Sequence, residues 1–135
     1  MTVGYSGAPL PKKLGLKSGH LLVLLDAPAE WTIANLDPAV EVRRDLRRSP
    51  DVVVGFVRSA ADLRRLTRRT VKAIPSDGSL WLVWPRRAGG HVSDVTEQLL
   101  RDLLLPTGMV DTKVAAIDKN WSGLKFVWRK EFRRP

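Results

Sequence analysis

The sequence predicts an α/β fold, a small Rossmann-like three-layer sandwich with a mostly parallel sheet and a C-terminal antiparallel hairpin. Three observations predict it. Continuous apolar runs lie at His20–Leu25, Val52–Val57 and Leu80–Trp84, and runs without alternation belong in the middle of a parallel sheet covered on both faces. Amphipathic helical stretches alternate with these runs, as in βαβ units. The final runs, Thr112–Ile117 and Leu124–Arg129, are joined only by Asp118-Lys119-Asn120-Trp121-Ser122-Gly123, a hairpin connection.

Taken in order, residues 1–19 carry Gly4, Gly7, Pro9, Pro11, Gly15 and Gly19, too dense for a regular element. They read as an extended N-terminal arm able to reach a neighbour. A single Rossmann-like domain follows over 20–130, and 131–135 form a tail that frays at Arg133-Arg134-Pro135. Val40–Leu46 alternates polar and apolar residues and suits a sheet edge. Ser59-Ala60-Ala61-Asp62 resembles a capping box, and Leu63, Leu66, Thr67, Thr70 and Ile74 then fall on one helical face. Pro75-Ser76-Asp77-Gly78 ends that helix. A second helix opens near Ser93, with Val95, Leu99 and Leu103 at successive turns, and Pro106 and Gly108 close it. Right-handed crossovers then put helices on both faces of the sheet.

Composition narrows the function. A chain of 135 residues, 44% hydrophobic and 27% charged, sustains one buried core and is not disordered. Its apolar runs stop at about six residues against the ~20 that span a bilayer, and no signal-peptide core is present, so a cytoplasmic location is expected. With no cysteine and only His20 and His91, disulfides, thiolate ligands and a metal centre are not expected. Net charge is +9, of which +7 falls within residues 41–90. Such an excess attracts anionic ligands, acidic proteins or nucleic acid.

The first long strand enters as a nucleotide-binding unit does, through Leu14-Gly15-Leu16-Lys17-Ser18-Gly19-His20. It leaves differently. Where such a unit turns through glycines, because only bare main chain lets N–H groups approach a phosphate or ribose, this chain has Asp26-Ala27-Pro28-Ala29-Glu30-Trp31.

On topology, the chain loosely resembles class I S-adenosylmethionine-dependent methyltransferases. It lacks their Gly-x-Gly-x-Gly at Ala27-Pro28-Ala29. It also has Arg58-Ser59 in place of an Asn/Asp-Pro-Pro clamp. Between Leu46 and Val52 the sequence is too short for the helix and strand that a full methyltransferase inserts, so the unit looks truncated. A closer resemblance covers nearly the whole chain. It is carried by Gly4-Tyr5-Ser6-Gly7 with Pro11-Lys12-Lys13-Leu14-Gly15, by Asp77-Gly78-Ser79-Leu80-Trp81 with Trp84-Pro85-Arg86-Arg87, and by Gly108-Met109-Val110-Asp111 with Trp121-Ser122-Gly123-Leu124-Lys125-Phe126. On these the chain resembles a family of small basic bacterial proteins, chiefly actinobacterial, catalogued as a domain of unknown function. That resemblance implies a fold and no chemistry.

Two candidate sites follow. Ligands of open α/β sheets bind beyond the carboxyl ends of the strands, which makes a rim of Asp26, Ala27, Pro28, Trp31, Arg58, Ser59, Arg86 and Arg87. Its arginines suit an anion and Trp31 a base. The plain structural alternative is solvated strand-end charges and a packing tryptophan. Glu30 and Asp51 join Asp26 as carboxylates that the fold can gather there. The second candidate is a stripe of Arg64, Arg65, Arg68, Arg69 and Lys72, facing an anionic partner or only solvent; Arg43-Arg44 and Arg47-Arg48 extend the positive field or guard the sheet edge. Trp81, Trp84 and Trp128 read as core, and Trp31 and Trp121 as loop residues. No catalytic, cofactor-binding or metal set can be assembled. The reading is a non-catalytic binding or regulatory module with a degenerate nucleotide-type site. The alternatives are a small methyltransferase-like transferase using a nucleotide-type cofactor, and a homo-oligomeric interaction protein.

Overall fold

The computed structural model describes residues 8–46 and 49–133; the expectations for Gly4, Tyr5, Ser6, Gly7, Arg47, Arg48, Arg134 and Pro135 lie outside the described residues. Six strands form one sheet: β1 (Leu21–Leu25), β2 (Glu41–Arg43), β3 (Val52–Phe56), β4 (Ser79–Pro85), β5 (Met109–Ala116) and β6 (Trp121–Trp128). Their spatial order is β2-β1-β3-β4-β6-β5. β1 runs parallel to β2 and β3, β3 runs parallel to β4, and β6 is antiparallel to β4 and β5. The predicted architecture is present. The half-polar edge strand is shorter than predicted, three residues only.

The hairpin is longer than its turn composition suggested. Trp121, Ser122 and Gly123 belong to β6, where they pair with Pro85, Trp84 and Val83. Glycine is required at 123 by close packing, since a Cβ there would meet Ile117 Cδ1 at 2.8 Å and the Trp81 ring at 3.1 Å. The turn shrinks to the residues around Asp118, whose Oδ1 accepts from the amides of Asn120 (2.8 Å) and Trp121 (3.0 Å), an Asx-type turn.

The layers depart from expectation for a reason of handedness. From β1 the chain steps toward one edge to make β2, the steps from β2 through β5 move toward the other edge, and the hairpin then turns back to set β6 between β4 and β5. Right-handed crossovers therefore put the connection between β1 and β2 on one face, and α2 (Ala60–Thr70) and α3 (Glu97–Leu104) together on the opposite face. The two predicted helices do not divide between the faces. The other layer is built by α1 (Leu10–Leu14) and by the irregular segment after β1, through Trp31, Ile33 and Leu36. α1 is a second correction, because residues 10–14 of the expected extended arm are helical. Pro11 sits in the first turn, where no N–H is needed, and Gly15 at φ 76° supplies the left-handed cap. The Pro and Gly that suggested irregularity are this helix's own start and stop.

Burial explains the unbroken apolar runs. In β1, Leu21, Val23 and Leu25 face the α2/α3 layer while Leu22 and Leu24 face the α1 layer. α2 opens as predicted: Ser59 Oγ accepts from the Asp62 amide at 3.1 Å, and Leu63, Leu66, Thr67 and Thr70 are buried. α3 starts at Glu97, capped by Thr96, later than predicted. That phase buries Leu100 and Leu104 fully and leaves Leu99 and Leu103 half-buried at the flank.

One pH effect arises here. The Arg58 amide donates to Asp62 Oδ2 at 3.0 Å and holds the carboxyl below the usual carboxylate range. A carboxyl depressed in the folded state adds stability above its unfolded value of about 3.9, and that contribution is lost as pH falls through the folded value. An Asp62→Asn variant is therefore expected to be less stable than the parent at pH 7. The two stability curves should converge below about pH 4, as followed by urea melts across pH; a gap that stays constant would contradict it.

Candidate functional site

The structure brings part of the predicted rim together. β1 and β3 are adjacent and part company in their connections, so the crevice beyond Leu25 and Phe56 is the switch point of this sheet. Arg58 Nη1 spans it, donating to the Asp26 carbonyl at 3.1 Å, with its guanidinium 5.3 Å from the centre of the Trp121 ring. Phe56, buried at the end of β3, is held edge-on between Trp31 (4.9 Å) and Trp121 (5.0 Å). Trp31 Nε1 donates to Asp118 Oδ2 at 3.1 Å. Trp31 and Trp121 are therefore half-buried packing residues joining the first loop, the β3 end and the hairpin. Ser59 is occupied as the α2 cap.

The expected gathering of three carboxylates does not occur. Asp51 stands at the opposite end of the sheet, before β3, where its Oδ2 accepts from the Leu21 amide at 2.7 Å. Asp26 turns to the outside and pairs with Arg69 at 3.6 Å, its backbone in the left-handed region at φ 59°. That pair links the rim to the exposed stripe on α2, in which Arg65 pairs with Asp62, while Arg64 and Arg68 pair with no carboxylate among the described residues.

Arg86 and Arg87 lie one strand further on and line a separate cleft of about 540 Å³ with Trp84, Ser93, Thr96 and Gln98. It is set between the end of β4 and the first turn of α3. Ser93 Oγ donates to the Arg58 carbonyl at 3.0 Å and Asp94 Oδ1 accepts from the Ala60 amide at 2.9 Å, fixing the approach to α3 against the start of α2. Two arginines and the N-terminal end of a helix give this cleft a positive character. Glu97, at its edge, is engaged with Arg101 Nη2 at 3.0 Å. A smaller recess of about 340 Å³ adjoins it under Arg58, Pro85, His91, Asn120 and Trp121. Sequence reading missed Ser93, Thr96 and Gln98 because only the docking of α3 sets them beside β4. Among the described residues no group of three or more His, Asp or Glu is placed to hold a metal ion, and no helix is long and apolar enough to cross a membrane.

No family model and no curated protein matches the chain. Solved structures do. TrmN from Thermus thermophilus superposes with a TM-score of 0.61 at 14% identity over 89% of this chain and 47% of TrmN, so the chain spans about half the length of that protein. A SAM-dependent methyltransferase from Aquifex aeolicus gives a TM-score of 0.59 at 10% identity, covering 85% of each chain. The Methanococcus jannaschii fibrillarin pre-rRNA processing protein gives 0.57 at 14% identity, over 93% of this chain and 70% of its own. At such identities the likeness shows the fold alone. The chain has a Rossmann-like fold of the methyltransferase kind.

That fold implies a nucleotide-type cofactor at the switch point, and the residues there do not fit one. Pro28 has no N–H to offer, and the segment from Asp26 to the start of β2 contains no helix whose N-terminus faces an anion. Arg58 already holds the carbonyl that lines the crevice.

Proposed function

We propose that this protein is a reduced methyltransferase-like domain that takes a nucleotide-type or other anionic ligand in the cleft beyond β4, one strand along from the switch point. The observation that carries it is the cleft of about 540 Å³ between Arg86, Arg87 and the first turn of α3, within the range of small-molecule sites. Of the two forms this can take, a small transferase and a module that only binds, the methyltransferase-fold neighbours favour the transferase. The Arg58 bridge across the switch point favours the module. Kinship with the small basic bacterial family rests on the quoted segments alone. The α2 stripe, as a surface for an acidic or nucleic-acid partner, and a place in the cytoplasm belong to the same proposal.

Thermal melts against S-adenosylmethionine, S-adenosylhomocysteine and nucleotides test it. A ligand that binds only the folded state stabilises by about 2.7 kcal/mol at a hundred times its Kd. One of these is expected to raise the midpoint saturably, and Arg86→Ala with Arg87→Ala to abolish the rise. Transfer of a labelled methyl group to an acceptor would establish the transferase, and binding without transfer the module. No saturable response to any of them overturns the proposal.

A further inference from the structure

On the face opposite α2 and α3, away from the cleft, three lysines from distant parts of the sequence meet. Lys13 on α1 is buried, and its Nζ donates to the Ala116 carbonyl at 3.0 Å. Lys125, half-buried in the centre of β6, is in register with Trp81 on one side and with Lys113 on the other. Lys113 Nζ reaches the Lys13 carbonyl at 3.5 Å. The Lys125 ammonium lies close beneath the end of α1, 3.4 Å from where a Cβ on Gly15 would stand.

No carboxylate among the described residues pairs with Lys113 or Lys125, and residues 1–25 include no Asp or Glu. Burial, and then the charge of Lys113, push the amines of both Lys13 and Lys125 below the ordinary lysine range. An amine depressed in the folded state costs stability wherever the unfolded chain holds its proton more firmly, so the cluster opposes folding at neutral pH. The cluster is also chemically selective: arginine outnumbers lysine 15 to 8 in this chain, yet every cation here is a lysine. Ammonium groups are compact point charges that can converge on one small tetrahedral anion, whereas guanidinium forks spread over planar ones.

We propose that Lys13, Lys113 and Lys125 form an anion site that takes a phosphate group, free or as a phosphomonoester. Up to two negative charges on one tetrahedral centre offset most of the cluster's charge, and the hairpin and α1 place the ammoniums around it.

The test is thermal denaturation at constant ionic strength, replacing chloride by inorganic phosphate in one arm and by phenyl phosphate in the other. A saturable rise with phosphate is expected. A rise with phosphate alone identifies the free anion, and an equal or larger rise with the ester identifies a phosphorylated ligand. Lys125→Gln and Lys113→Gln should each weaken the apparent affinity about tenfold or more, while Arg86→Ala with Arg87→Ala leaves it unchanged. This separates the site from the cleft beyond β4. Phosphate and chloride giving the same midpoint, or the Lys125→Gln response matching the parent, overturns the proposal. Should the variants fail to fold, the parent protein still decides: phosphate should raise the Lys125 amine pKa by about one unit, read from its Cε resonance, and a resonance that titrates identically with and without phosphate overturns it.

Discussion

Trp81→Ala is expected to destabilise the protein by about 3–5 kcal/mol, the range for a fully buried large aromatic residue. Trp81 is wholly inaccessible. Its ring lies against Gly123, and its Nε1 donates to the Leu14 carbonyl at 3.3 Å. The mutation removes the floor on which α1 rests and leaves that carbonyl without its donor. Against a total of about 5–15 kcal/mol, the loss puts the variant near the edge of folding. Guanidinium melts read the size. Hydrogen exchange at Lys13 and Leu14 reads the location, because α1 should open in the variant before the sheet does. Trp81→Phe keeps the apolar floor and loses the donor, so its cost should fall to about 1–3 kcal/mol. An alanine variant within about 1 kcal/mol of the parent would show that α1 is held by something else. The same variant should abolish the phosphate response, since Lys13 is placed by α1.

Phe56→Ala is expected to cost a comparable amount, about 3–5 kcal/mol, with a different consequence. Phe56 is 1% exposed and takes Trp31 and Trp121 edge-on at 4.9 and 5.0 Å. Each such pair is worth about 0.5–1.5 kcal/mol beyond area burial. The loop after β1 has no helix of its own, so its position depends on Trp31 finding that ring and the Asp118 carboxylate. A double-mutant cycle between Phe56→Ala and Trp31→Ala should return a coupling of about 1 kcal/mol. Zero coupling would mean that the loop is placed independently of the β3 end. The cleft beyond β4 lies on other supports, the Ser93–Arg58 and Asp94–Ala60 hydrogen bonds. Any ligand found there should therefore bind Phe56→Ala, at a temperature where it is folded, nearly as well as the parent.

Much of the architecture was legible because its signals are local. Residues 52–57 and 80–84 are apolar at every position and had to be covered on both faces, and Ser59 with Asp62 announced α2 through a cap that needs only four residues of sequence. α1 escaped notice because a five-residue helix has no periodicity to detect, and its Pro and Gly also mark loops. The switch-point rim was legible as a place, since strand ends follow from strand order. Its contents were not: Asp51 faces the other end of the sheet because it precedes β3, and Arg86 and Arg87 open onto a different cleft from Arg58.

The sequence by itself determined the strands, the hairpin and the loss of bare main chain after β1, because each depends on residues within a few positions of one another. Only the tertiary structure decided which helices share a face, what closes the switch point, and that Lys13, Lys113 and Lys125 meet. Those outcomes depend on crossover handedness, on strand register and on contacts such as Lys13 to Lys113 between residues about a hundred positions apart, and pairings of that kind leave no mark on local composition or periodicity.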